Sequence, residues 1–168
     1  MFQNVADDAM SAGDAASFII SQLKAFNKPA SEATHVVDAL NSVSNNFAVS
    51  SSDLSQSIGN ASSAMAVGNV TYEETLGLLT AGTEITRNSN KVSRALVSVQ
   101  SRYNQILDDS SSTGQKLIAF YKDHGIAIKD EKGNLRSLYD TLGDLAGKWN
   151  TLDEDQKKYF LNVQAGGL

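Results

Sequence analysis

The residue types able to do chemistry are few and scattered in this 168-residue sequence. Paired acids occur at Asp7-Asp8, Glu73-Glu74, Asp108-Asp109 and Asp153-Glu154. A glycosidase needs two carboxyl groups set across a cleft, one in apolar surroundings that raise its pKa. Adjacent acids on a helix point in different directions and do not supply that arrangement. Most of these pairs stand at predicted helix starts, where carboxylates offset the dipole. His35 and His124 have no metal-ligand spacing such as H-E-x-x-H and read as ordinary residues, one at a helix surface and one near a helix C-terminus. No serine is singled out for a Ser-His-Asp triad. With no cysteine, disulfides, Cys-zinc sites and Cys nucleophiles are excluded. Asp130 to Arg136 lacks the spaced oxygen ligands and distal Glu of an EF-hand and reads as a turn. The expectation is a non-enzymatic chain with no cofactor and no metal.

One cluster points to binding. Arg87, Lys91, Arg94 and Arg102 fall on one face of a predicted helix, with no acid between Glu84 and Asp108. They form a candidate interaction face, for DNA phosphates or for the acidic part of a neighbouring copy. The plainer reading is a solvated face opposite an apolar stripe. Four cations without interleaved aromatics are a weak nucleic-acid signal.

The elements that must position these residues are helices. The stretch Thr71–Ile106 organises the chain. Thr71 and Glu74 have the spacing of a capping box. Tyr72, Leu76, Leu79 and Thr83 then recur at helical spacing, and Ala81-Gly82 loosens the helix near its end. Thr86 or Ser89 can cap a second helix whose stripe is Val92, Ala95, Leu96, Val99, Tyr103 and Ile106. The pair forms an αα-hairpin.

Before it, residues up to Met10 read as the end of a helix begun upstream. Asp14 caps a helix with Phe18, Ile19, Leu23 and Phe26 on one face, stopped at Pro29. Ser31 caps the next, with Val36, Val37, Leu40, Val43 and Phe47 buried. Ser52 caps a third with Leu54, Ile58, Ala61 and Met65 inward, ended by Gly68 in the left-handed cap position. After the hairpin, Asp108–Gly114 reads as an internal linker, and a helix follows from about Gln115 to Asp123. Gly125 to Arg136 alternates, turns and resumes, which predicts a small β-hairpin near 126–136. Helices over Ser137–Asn150 and from Asp153 onward close the chain, the last with Tyr159, Phe160 and Val163 inward.

The totals agree with an all-α fold of seven to eight amphipathic helices arranged as a helical-hairpin bundle, over one domain at 1–168. One proline leaves helix almost unopposed along the chain. Net charge is -5, unevenly spread: nine acids against two lysines up to Ile85, then ten acids against twelve Lys/Arg. That balance argues against a dedicated nucleic-acid binder. No apolar run approaches the roughly 20 residues of a membrane span, and no signal peptide is visible.

Two blocks resemble a known family. Val67 to Leu96 carries Tyr72-Glu73-Glu74-Thr75, Leu76, Leu78-Leu79, Ala81-Gly82 and Arg94-Ala95-Leu96. The second block carries Gly125, Asp130, Gly133-Asn134-Leu135-Arg136, Leu138, Asp140, Leu142 and Asp144-Leu145-Ala146. Both resemble the core region of phage tail tape-measure proteins, with weaker similarity back to Asp14. Ile85 and Ser89 stand where the family usually has glycines, one extra residue follows Gly68, and Asp108–Gly114 is unlike the family's sequence. The resemblance implies a fragment of a much longer phage or prophage protein. It further implies a structural scaffold around which the tail tube assembles in the bacterial cytoplasm, a part in setting tail length, and release at genome ejection. Expected partners are the tail tube protein and tail assembly chaperones, with self-association and DNA contact as further options. Thr71, Glu74, Gly82, Gly125, Gly133 and Asn134 are the structural signature. The rival readings are a generic oligomerising helical module and a peptidoglycan hydrolase fragment.

Overall fold

Most helices begin on a side chain that caps them, and the short polar residues between apolar runs are what divide the chain into separate helices. The computed structural model describes residues 11–47 and 49–166. Among these there are eight α-helices: α1 (Ala12–Ala25), α2 (Ala33–Asn46), α3 (Ser51–Val67), α4 (Tyr72–Thr86), α5 (Ser89–Asn104), α6 (Ser112–Asp123), α7 (Leu138–Lys148) and α8 (Glu154–Ala165). The all-α expectation holds. The helix end expected up to Met10 lies outside the described residues.

The chain divides into two compact units. The first comprises the described residues up to Val67 together with Thr71–Leu96. Its core is Phe18 of α1, Val36 and Leu40 of α2, Leu54 and Ile58 of α3, Tyr72, Leu76 and Leu79 of α4, and Val92 of α5. Ile19, Leu23, Phe26 and Leu96 pack against it. The expected inward face of α3 is fully buried at Leu54, Ile58, Ala61 and Met65. Removing apolar surface of this size from water stabilises the fold by about 1.5–3 kcal/mol per large side chain. Small buried serines bring α3 close to its neighbours, and Ser62 donates to the buried Gln22 carboxamide at 2.6 Å. Tyr72 reaches across to the Val36 carbonyl at 2.9 Å, and burial pushes its phenol pKa far up.

The second unit comprises Gly68–Val70 and the described residues from Val97 onward. An aromatic cluster of Tyr103, Phe120, Tyr121, Trp149 and Phe160 fills it, mostly in edge-to-face pairs. Gln164 donates to the Val99 carbonyl at 2.8 Å and accepts from the Tyr121 hydroxyl at 3.2 Å, while the buried Gln100 carboxamide oxygen has no partner among the described residues.

Several local expectations are corrected. There is no β-hairpin near 126–136: among the described residues only an isolated antiparallel bridge, Lys129 to Leu135, forms. The reason is room. The segment leaves α6 through a left-handed Gly125 and enters α7 at its N-cap Ser137, so no ladder can extend. The Asp130 carboxylate also closes the turn at once, accepting the Lys132 and Asn134 N–H groups at 2.9 and 2.8 Å.

The α1 cap is Ser11, and Asp14 sits in the first turn. Ser31 lies in a short 3-10 turn, Ala30–Glu32, and α2 has no side-chain cap. Ser50, not Ser52, caps α3, and Asn88, not Thr86 or Ser89, caps α5. The left-handed residue after α3 is Asn69 (φ 56°). Gly68 is needed for space instead, since a β-carbon there would overlap the Gln100 carboxamide. Phe47, Ala95 and Tyr159 are exposed. Ser112–Gly114, within the expected linker, already belong to α6.

Candidate interaction face

Each signature residue occupies a position with a local physical demand. The Thr71 hydroxyl accepts the Glu74 N–H at 3.2 Å, and the Glu74 carboxylate accepts the Thr71 N–H at 2.8 Å, which completes the capping box. Gly82 lies where α4 and α5 touch. Gly125 (φ 61°) and Gly133 (φ 83°) take left-handed conformations that favour glycine. The Asn134 side chain donates to Asp130 at 3.2 Å, and its two hydrogen bonds hold the Asp130 carboxyl below the usual range.

The four cations stand in different local settings. Arg87 is the left-handed C-cap of α4 (φ 55°) and is exposed. Lys91 and Arg94 are exposed on α5. Among the described residues, none of these three belongs to an ion pair. Arg102 is half-buried in the second unit, where its guanidinium donates to the Val163 carbonyl at 3.4 Å, and a β-carbon on Gly166 would press against it. Arg102 therefore serves the end of α8, and the exposed cluster is Arg87, Lys91 and Arg94.

The acid pairs serve structure. Glu74 caps α4. Glu73 pairs with His35 at 2.8 Å and Lys28 at 3.2 Å. Partial burial pushes the Glu73 carboxyl up, but a backbone hydrogen bond, His35 and Lys28 outweigh it and hold the group below its ordinary value. Asp153 and Gln156 form a second capping box at α8. Asp108 accepts from both the hydroxyl and the N–H of Ser110, which keep its carboxyl low. Asp7-Asp8 lie outside the described residues. His124 bonds the Phe120 carbonyl at 2.7 Å and stacks on the Phe120 ring. Among the described residues no group of three or more His, Asp or Glu is placed to hold a metal. No helix there is long and apolar enough to cross a membrane.

Sequence reasoning missed Asn88, whose carbonyl oxygen caps α5 by accepting the Lys91 N–H at 2.8 Å. It also missed the pair Arg136–Asp144 at 2.6 Å, in which Arg136 also donates to the Ala127 carbonyl and so ties the turn to α7. Both residues lay inside the second sequence block, and their spacing of eight was the available signal.

No solved structure matches the chain. The family model of the phage-related minor tail proteins matches residues 3–163, nearly the whole sequence, and the chain belongs to that family, as a structural component of a phage tail.

Proposed function

We propose that this chain is a folded section of a tape-measure protein, a structural scaffold in tail assembly that takes part in setting tail length. The family match over residues 3–163 supports the tail role on which this reading builds. Two sequence blocks that resemble the tape-measure core give the finer assignment. They coincide with the α4–α5 hairpin and the Asp130–Arg136 turn running into α7.

The section acts by binding and not by catalysis. Among the described residues, Glu74 and Asp153 serve helix caps, and Glu73 and Glu154 serve ion pairs. Its helices are short. The longest, α3, has 17 residues and spans about 25 Å at about 1.5 Å per residue. Each stops at a cap or turn, so the described residues do not form one continuous helix. In the assembling tail, placed in the bacterial cytoplasm, its partners are the tube subunits and assembly chaperones. It leaves with the rest of the protein at genome ejection.

In-frame deletion of this section from the parent phage, with tails measured by electron microscopy, tests the reading. Tails are expected to be absent or shortened.

A further inference from the structure

A cavity of about 260 Å³ lies in the first unit, where the start of α3 meets the turn between α4 and α5. Its wall includes Ser50, Asp53, Thr83, Arg87, Ser89 and Asn90. Three independent observations give it a chemical preference.

Two helix N-termini converge on it. Ser50 precedes α3, and Ser89 and Asn90 open α5, helices of 17 and 16 residues. First-turn N–H groups lack an intrahelical acceptor and carry partial positive charge. The caps occupy only the third N–H of each: Ser50 accepts from Asp53 at 3.0 Å, and Asn88 from Lys91 at 2.8 Å. Arg87 adds a full positive charge from a left-handed backbone position, with no ion-pair partner among the described residues. Thr83 is only 6% exposed, and its hydroxyl has no hydrogen-bond partner. A buried donor without an acceptor is destabilising, and an entering oxyanion supplies that acceptor.

The wall also carries one carboxylate, Asp53, which works against dense negative charge. The volume suits the head of one side chain and not a duplex. Beyond the cavity, Lys91 and Arg94 continue along α5, about 4.5 Å apart in rise. We propose that the cavity receives an aspartate or glutamate side chain from an acidic polypeptide segment of another tail protein, with further acids of that segment lying along Lys91 and Arg94. This assignment stands on the cavity alone and is independent of the tape-measure reading.

Fluorescence polarisation of a labelled hexaglutamate peptide against the full chain tests it. Arg87→Gly is the decisive variant, because glycine suits φ 55° and keeps the turn while removing the cation. The expected result is an affinity loss of about tenfold, with an unfolding midpoint in urea no lower than wild type. Thr83→Val removes only the unpaired hydroxyl and is expected to weaken binding several-fold without destabilising the fold. Asp53→Asn is expected to tighten binding. Peptide binding that is absent, or unchanged in both Arg87→Gly and Thr83→Val, overturns the assignment. So does displacement by equimolar inorganic phosphate, which would make it a free-oxyanion site. Duplex DNA bound more tightly than the peptide, with the same dependence on Arg87, would transfer the site to nucleic acid and equally overturn it.

Discussion

A β-carbon placed on Gly82 would lie 2.6 Å from Val92 Cγ1, so glycine at this point sets how closely α4 and α5 pack. The demand is for space, since α4 continues through Gly82 to Thr86.

Gly82→Ala sets two effects against each other. Alanine improves helix propensity by about 0.8–1 kcal/mol. Overpacking against Val92 costs about 1–3 kcal/mol. The overlap is with a stiff β-branched side chain in the core cluster, so the cost is expected to win, with a net loss of about 1–2 kcal/mol. Urea unfolding checks this, and Val92→Ala in the same chain is expected to relieve much of the overlap.

The capping box gives a second prediction. Thr71→Ala is expected to destabilise by about 1 kcal/mol. Glu74→Ala removes the reciprocal bond, and the double variant should cost less than the two singles added, because each cap partner orients the other. Chemical denaturation of all four chains reads the coupling.

Glu73 carries a pH dependence whose sign follows from its lowered pKa. A carboxyl that is more acidic folded than unfolded adds stability above its unfolded pKa, about 4.3 for glutamate. That stability is lost as pH falls through the folded value. The urea midpoint of the wild type is expected to exceed that of Glu73→Gln at pH 7, with the gap closing on acidification below about pH 4. A gap independent of pH would contradict the pairing with Lys28 and His35.

In the second unit, the Tyr103 hydroxyl lies 2.8 Å from Thr141 Oγ1 and donates to the Arg136 carbonyl at 3.1 Å. Tyr103→Phe leaves these buried groups short of a partner and is expected to cost about 1–3 kcal/mol. Combined with Thr141→Val it should cost less than the sum, and thermal unfolding of the cycle measures the difference.

Two helix caps were legible in the sequence, while the other caps and the tertiary pairings were not. The Thr71–Glu74 and Asp153 caps read correctly because a cap involves residues three apart. The α5 cap was misplaced because Thr86, Asn88 and Ser89 are all acceptable capping residues and only the fold selects one. The hairpin near 126–136 failed because alternation reports strand tendency but not the space between α6 and α7. Ala95 fits the apolar period of α5, but Ser93 and Gln100 take the buried positions. Nothing local marks Gln22, Gln100 or Gln164 as buried, since an amide inside a core depends on partners distant in the chain. Arg102 has a partner that was hidden for the same reason. Its helical period matches Arg87, Lys91 and Arg94, but its acceptor is the carbonyl of Val163.

The role proposed for this section is in tail assembly and length, as part of a tape-measure protein. The most direct measurement is tail length and number by electron microscopy in a phage carrying an in-frame deletion of these residues. Tails that are shortened or fail to form are expected. Normal numbers of intact tails at the parental length would contradict it.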